Sequence, residues 1–314
     1  MSEPASPIRE EVPMALAGER LDRVVALLAD ISRSAASAVI DAGGAAVDGV
    51  VATSGKTRLL DGQVVEVDLA TIPAVAAPLP DPTVDFGVVH ADAAVVVVDK
   101  PPRLVVHPGA GTPDGTLVNG LLARYPELAA VGEEQRPGIV HRLDAGSSGL
   151  LVVARTEEAR RALIAQFADH SAGRRYDAVV WRHPEAAHGI VDAPIGRDPS
   201  DPLKMAVVTD GRPARTEYRL IERYDAPAEL ARLSCTLETG RTHQIRVHLA
   251  AVGHPLVGDP VYGDRRPNLG LDRPFLHAAE LSFAHPTTGA RVSFHSPLPP
   301  DLDAFLTTTH PIEG

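Results

Sequence analysis

Residues Gly138-Ile139-Val140-His141-Arg142-Leu143-Asp144-Ala145-Gly146-Ser147-Ser148-Gly149-Leu150-Leu151, continued by Val152-Val153-Ala154, form the stretch on which the fold turns. An apolar strand leads into a polar loop that carries Arg142 and Asp144. The chain then returns to an unbroken apolar run over 149–154. A run of that kind reads as an apolar strand supporting the loop, and polar residues on a loop held by two apolar strands are where catalytic groups tend to sit. The next segment, 157–169, has the spacing of a helix. Ala94–Asp99, ending at Lys100-Pro101-Pro102, is a second buried strand, and Asp177–Trp181 and Ser234–Glu238 read as further strands. Strands this far apart, with helices between them, predict a mixed sheet in one substantial domain from about Phe86 onward.

Outward from there, residues 1–15 read as a flexible tail. Residues 16–71 hold a compact α-plus-β unit. Arg20-Leu21-Asp22 opens a helix with Leu21, Val24, Val25, Leu27 and Leu28 on one face. Ser32 or Ser34 caps a second helix, which stops at Gly43-Gly44. Ala45–Val47 and Val50–Thr53 flank Asp48-Gly49, a strong hairpin signal, and the alternation over Val64–Leu69 adds a strand. Residues 72–85, with Pro73, Pro78, Pro80 and Pro82, read as a semi-rigid linker. The remainder, 86–314, is the second domain.

The chain has 314 residues, 30 Lys plus Arg, 41 Asp plus Glu and a formal net charge of −11. No apolar run approaches the roughly 18 residues of a membrane span, and the acidic, Pro-broken start lacks the features of a signal peptide. A cytoplasmic protein with no membrane contact is expected. The single Cys235 excludes an internal disulfide and any multi-cysteine zinc site. Acidity speaks at first against nucleic acid, but it is unevenly placed: residues 1–99 hold 6 cations and 15 anions, whereas the rest is nearly balanced. Of the 30 cations, all but Lys56, Lys100 and Lys204 are Arg, the side chain that grips phosphate bidentately.

Three clusters bear chemistry. On residues alone, Asp144 in the 141–149 loop is either a catalytic carboxylate or a turn residue paired with Arg142. In Leu237–Leu249, helical spacing puts Thr242, Arg246 and Leu249 on one face and Gln244 and His248 on another, so Arg246 can reach a core carboxylate. His243 and His248 are five apart, unlike a helical metal pair, and no metal is expected. In Arg174-Arg175-Tyr176-Asp177-Ala178, Tyr176 is either a core aromatic or a stacking platform for a base. His107-Pro108-Gly109-Ala110-Gly111 lacks a P-loop lysine and dinucleotide spacing, and Ser147-Ser148 lacks a nucleophile elbow, so no cofactor is expected.

Taken in order, His141–Asp144, Arg174–Ala178 and Gly240–His248 resemble the marks of the ribosomal large-subunit RNA pseudouridine synthases. Asp99–Pro102, Val106–Pro108 and Gly258-Asp259-Pro260-Val261-Tyr262-Gly263 resemble further blocks of that family. The N-terminal unit is similar to the S4 RNA-binding domain, and Ile195–Arg197 with Lys204-Met205 make the chain most similar to the family's D type. The resemblance spans residues 18–300. One departure stands beside Asp144: members usually carry Lys-Asp where this chain has Ala145-Gly146.

The resemblance implies an α+β fold, a small S4 domain followed by a mixed, mainly antiparallel catalytic sheet. It implies isomerisation of uridine to pseudouridine in 23S rRNA, at the helix 69 hairpin within a pre-50S particle, by a monomer without cofactor. Asp144 would be the nucleophile, with Arg246 pairing with it. Tyr176 would stack on the uracil and assist proton removal at C5. Arg142 would fill the gap left by the flipped nucleotide. Arg174 and Arg241 would contact RNA, as would Arg20, Arg33 and Lys56 of the S4 unit. The alternatives are an inactive S4-containing factor in ribosome assembly, a synthase acting on other rRNA or tRNA uridines, and a glycosidase, which would need a second carboxylate.

Overall fold

The computed structural model describes residues 7–29, 31, 33–68, 77–109, 112–201, 204–263 and 265–312. The chain divides into two compact units, Met1–Ala76 and Ala77–Gly314.

In the first unit, β1 (Ile8–Glu11), α1 (Leu21–Leu28), α2 (Arg33–Asp41), β2 (Ala45–Val47), β3 (Val50–Val51) and β4 (Val64–Val67) follow in order. The sheet order is β1-β4-β2-β3, with the helices packed through Leu21, Val24, Val25, Val39 and Ile40 onto Val65 and Val67. Asp48 and Gly49 have φ of 53° and 76°, so both turn residues are left-handed, as a two-residue hairpin requires. Two expectations fail here. Residues 8–11 are not tail: they pair with β4, Ile8 opposite Val67, and a strand of this kind escapes a pattern search because only Ile8 and Val12 are apolar. Leu27 is 66% exposed, because the packed stripe of an eight-residue helix is filled by Leu21, Val24 and Val25. Ser32 and residues 72–76 of the expected linker lie outside the described residues.

The second unit contains β5 (Gly87–Ala91), β6 (Val95–Lys100), α3 (Leu117–Arg124), β7 (Ser148–Ala154), α4 (Glu157–Ala168) and β8 (Gly173–Trp181). These are followed by β9 (His188–Asp192), β10 (Ile195–Arg197), β11 (Met205–Val207), β12 (Arg215–Ala226), β13 (Leu230–Leu237) and α5 (Gln244–Ala251). The chain ends with β14 (Leu276–Ala284), β15 (Arg291–His295), α6 (Pro300–Thr307) and β16 (His310–Pro311). The main sheet runs β16-β12-β13-β8-β14-β7-β6-β5, with β9 on β12 and β15 on β14. Among the described residues only the β7–β14 pair is parallel, so the sheet is mixed and mainly antiparallel.

Alternation explains the apolar runs. Val96, Val98, Leu151, Val153 and Ala178 face a core shared with α3 and α5, while Val95, Val97, Leu150 and Val152 face α4. Farther along, Val179 turns to α6 through Phe305 and Leu302. At the start of β7, Gly149 has φ of 107°, and a Cβ there would lie 2.3 Å from the Ala278 carbonyl oxygen. Only glycine lets β7 approach β14 so closely, and this contact fixes the end of the loop that begins at His141.

Candidate active site

The loop from His141 to Ser147 joins a near-strand to β7. The strand expected before it is reduced to one bridge, Ile139 with Val153, because the His141 side chain takes over a ladder bond: Nε2 accepts the Val152 N–H at 3.0 Å. Leu143 points into the core, Arg142 is exposed and Asp144 stands at the rim of a cleft. Two buried cations hold the loop from behind. Lys100, fully buried, donates from Nζ to the carbonyls of Pro101 (2.9 Å), Leu104 (2.8 Å) and Ala145 (3.3 Å). Arg273, 2% exposed, donates to the Gly146 carbonyl at 3.3 Å while Asp301 receives its other face at 2.6 and 2.9 Å. The carbonyls of Ala145 and Gly146 are therefore tied down even though neither residue has a polar side chain. Burial pushes the Lys100 ammonium down to about 7, with Asp144 pulling it up and Arg273 pushing it further down.

Helix α5 supplies the opposite wall. It begins later than the spacing implied: His243 is left-handed, at φ of 57°, so Thr242 lies outside the helix. Gln244 and His248 do share a face, both meeting Thr216 Oγ1, at 3.0 and 2.9 Å. Arg246 points to the cleft floor. Its Nη1 donates to Asp144 Oδ2 at 3.3 Å, and its Nε and Nη2 grip Asp259 at 2.8 and 3.0 Å. The Asp259 carboxylate is completely buried and also accepts the N–H groups of Val261 and Tyr262. Burial acts to raise its pKa, but Arg246 and these two N–H groups hold it below the usual carboxylate range. The Tyr262 ring lies under the Arg246 guanidinium at 5.0 Å, and its hydroxyl sits 2.9 Å from His243 Nδ1. Asp259, Tyr262 and Lys100, which brace Arg246 and the 141–147 loop, are residues to which the sequence reading gave no role. Their signals were present, a carboxylate in the Gly258–Gly263 block and one of only three lysines beside Pro101-Pro102.

Tyr176, at the middle of β8 opposite Cys235 and Ala278, lines the same cleft and is 5% exposed. Burial raises its phenol pKa, with Arg174 acting against this and Asp144 with it. The phenol is therefore protonated near neutrality. Asp144, Tyr176, Arg246, Arg142, Arg174 and Arg241 all line this one cleft.

Arg174 is buried, 8% exposed, and Arg241 is half-buried. In the first unit, Arg20 and Arg33 both pair with the buried Asp22, at 2.5 and 3.1 Å, so much of their charge is already answered. Lys56 is exposed with no carboxylate partner among the described residues. No group of three or more His, Cys, Asp or Glu among those residues is placed to hold a metal ion, and no described helix is long and apolar enough to cross a membrane.

A profile of RNA pseudouridylate synthases matches residues 94–251, which spans the Asp144 loop, Tyr176 and Arg246 together. The chain belongs to this family. An S4-domain profile matches residues 19–65. The chain is 48% identical over 297 residues to a Chloroflexus aurantiacus protein named an RNA pseudouridine synthase, covering 94% of this chain and 91% of that protein. It is 46% identical over 308 residues to the ribosomal large subunit pseudouridine synthase D of Xanthomonas campestris pv. campestris, covering 94% and 90%. Among solved structures, human RNA pseudouridylate synthase domain containing 1 superposes with a TM-score of 0.57 at 27% identity, covering 74% of this chain and 91% of that one. The protein is thus an RNA pseudouridine synthase, an isomerase, preceded by an S4 domain.

Proposed function

We propose that this synthase acts on large-subunit ribosomal RNA, at the helix 69 hairpin of 23S rRNA, with Asp144 as its reacting carboxylate. The observation that carries the reading is the Asp144–Arg246–Asp259 chain. Asp259 takes two nitrogens of Arg246 and leaves one, Nη1, to hold a single oxygen of Asp144. The other Asp144 oxygen is left to meet ribose C1′, uracil C6 or the 2′ proton. Whichever it meets, the N1–C1′ bond breaks with its electron pair on the uracil. The base turns, C5 bonds to C1′, and the C5 proton is lost as N1 gains one, so no donor or redox partner enters the balance.

Arg246 aims the carboxylate through its Nη1 contact. Tyr176 stacks on the uracil once it leaves the helix, and exposed Arg142, two residues before Asp144, fills the vacated place in the stack. Arg174 and Arg241 contact the RNA at the cleft, and Arg20, Arg33 and Lys56 assist docking of the S4 unit. Similarity to proteins named large subunit synthase D supports the substrate, and the S4 domain supports an RNA partner, here within a cytoplasmic pre-50S particle met by a monomer. The test is incubation with unmodified large-subunit rRNA transcript followed by pseudouridine mapping. A helix 69 signal is expected; signal only elsewhere in the transcript overturns the site choice, and no signal overturns the activity.

A further inference from the structure

Arg174 is a buried cation without an anion. Its Nη2 donates to the Glu238 carbonyl at 3.0 Å, its guanidinium lies 5.2 Å from the Phe167 ring centre, and its Nε has no partner. The nearby carboxylates are committed elsewhere: Arg215 takes both Glu238, at 2.8 Å, and Asp192, at 3.0 Å. Along the same wall, Arg241 gives Nε to the Pro213 carbonyl at 2.9 Å, which brings it beside exposed Arg212. Among the described residues, no carboxylate stands within ion-pair reach of Arg174, Arg212 or Arg241. Gly240 makes room for the first of them, since a Cβ there would lie 2.6 Å from Arg174 Nη1.

A buried charge is costly unless paired, and like charges gathered together add to that cost. Burial, Arg212 and Arg174 together hold Arg241 below the ordinary arginine value. An arrangement so unfavourable in the free protein is relieved when an anion arrives. We propose that Arg174, Arg241 and Arg212 form a phosphate-binding subsite on the wall of the Asp144 cleft, which takes the RNA backbone at the uridine being isomerised.

This rests on the reading of the cleft as a uridine site. Within it, the placement is apt: Arg174 and Tyr176 are two residues apart on one face of β8, about 6.6 Å along the strand. A base stacked on Tyr176 therefore sets its own phosphate near Arg174. Guanidinium forks match the oxygens of a phosphodiester, a permanent anion, better than they match a transient charge on the base.

The test is binding of unmodified large-subunit rRNA transcript over a salt series, paired with single-turnover rates at saturating RNA. The Arg212→Ala/Arg241→Ala double variant should bind about tenfold more weakly and lower the slope of log K against log salt by roughly 1.5. Its loss in kcat/KM should lie mostly in KM. Arg161→Ala, which removes an exposed arginine of α4, controls for net charge and should leave the slope as in wild type. Arg174→Lys keeps the charge but loses the fork, and should weaken binding about threefold. An unchanged slope in the double variant overturns the subsite, as does a loss confined to the single-turnover rate with affinity intact. Wild type that binds RNA but forms no pseudouridine would defeat the assigned reaction while the salt slopes still decide the subsite.

Discussion

Arg246 holds Asp144 through one nitrogen at 3.3 Å while the rest of its guanidinium is locked on Asp259. The asymmetry matters: a bidentate grip on Asp144 would occupy both carboxylate oxygens. Asp259 anchors Arg246, and the arginine it fixes in turn holds the Asp144 carboxylate, the group proposed to react.

Replacing the anchor should therefore cost both stability and rate. Asp259→Ala leaves Arg246 buried beside a single, longer partner, and should destabilise the catalytic unit by about 3–5 kcal/mol. Asp259→Asn keeps the shape but loses the charge, and should lower kcat by roughly tenfold to a hundredfold with RNA affinity retained. Urea unfolding and single-turnover kinetics read the two effects, and wild-type kinetics in Asp259→Asn would remove Asp259 from the account.

Arg273 and Asp301 tie α6 to the catalytic loop. Arg273 is 2% exposed and Asp301 is its only carboxylate partner among the described residues. Asp301→Ala should cost about 3 kcal/mol or more by stranding that charge. Amide hydrogen exchange should also quicken around residues 144–148. Unaltered exchange there would mean that the loop does not depend on the clamp.

His141 makes the fold acid-sensitive. Burial holds it down at about 3, against an ordinary value of 6.5, and its Nε2 must stay unprotonated to accept from Val152. Between these values the unfolded chain binds a proton that the native chain does not, so stability falls as pH falls below 6.5. By pH 5 the loss from this group is about 2 kcal/mol. His141→Gln, whose oxygen can accept the same N–H without titrating, should flatten the acid limb of urea midpoints measured against pH. An identical limb in the variant would contradict the assignment.

Lys100 acts at the other end of the scale. With its native value near 7 and an ordinary value of 10.5, the unfolded chain holds the extra proton between them, so stability rises with pH across that window. Wild type should gain stability relative to Lys100→Met as pH goes from 7 to 10. A gap between the two proteins that stays constant over this range would show that Lys100 titrates as an ordinary lysine.

Much of this was legible in the sequence where one residue's chemistry sufficed. The runs at 95–98 and 149–154 announce buried strands, and Asp48-Gly49 announces its hairpin. Asp144, Tyr176 and Arg246 stand out by their motifs. Strand β12 is hidden because Arg215–Ala226 mixes charged residues among apolar ones on half-exposed faces. The remaining partners depend on long-range contact. Asp259 sits in a Gly- and Pro-rich turn and reveals its role only when α5 carries Arg246 to it. Lys100 resembles a surface lysine until three carbonyls converge on its ammonium. The motif at 174–178 does not reveal that Arg174 lies inside the cleft wall, because its burial depends on the Gly240 and Phe167 neighbours brought from elsewhere in the chain.

The central claim is that Asp144 performs the chemistry. Asp144→Asn, incubated with unmodified large-subunit rRNA transcript and assayed by pseudouridine mapping, tests it most directly. The account predicts no detectable pseudouridine while RNA affinity stays within about threefold of wild type, since the amide keeps the shape and loses only the reacting charge. Pseudouridine formed at the wild-type rate would contradict it.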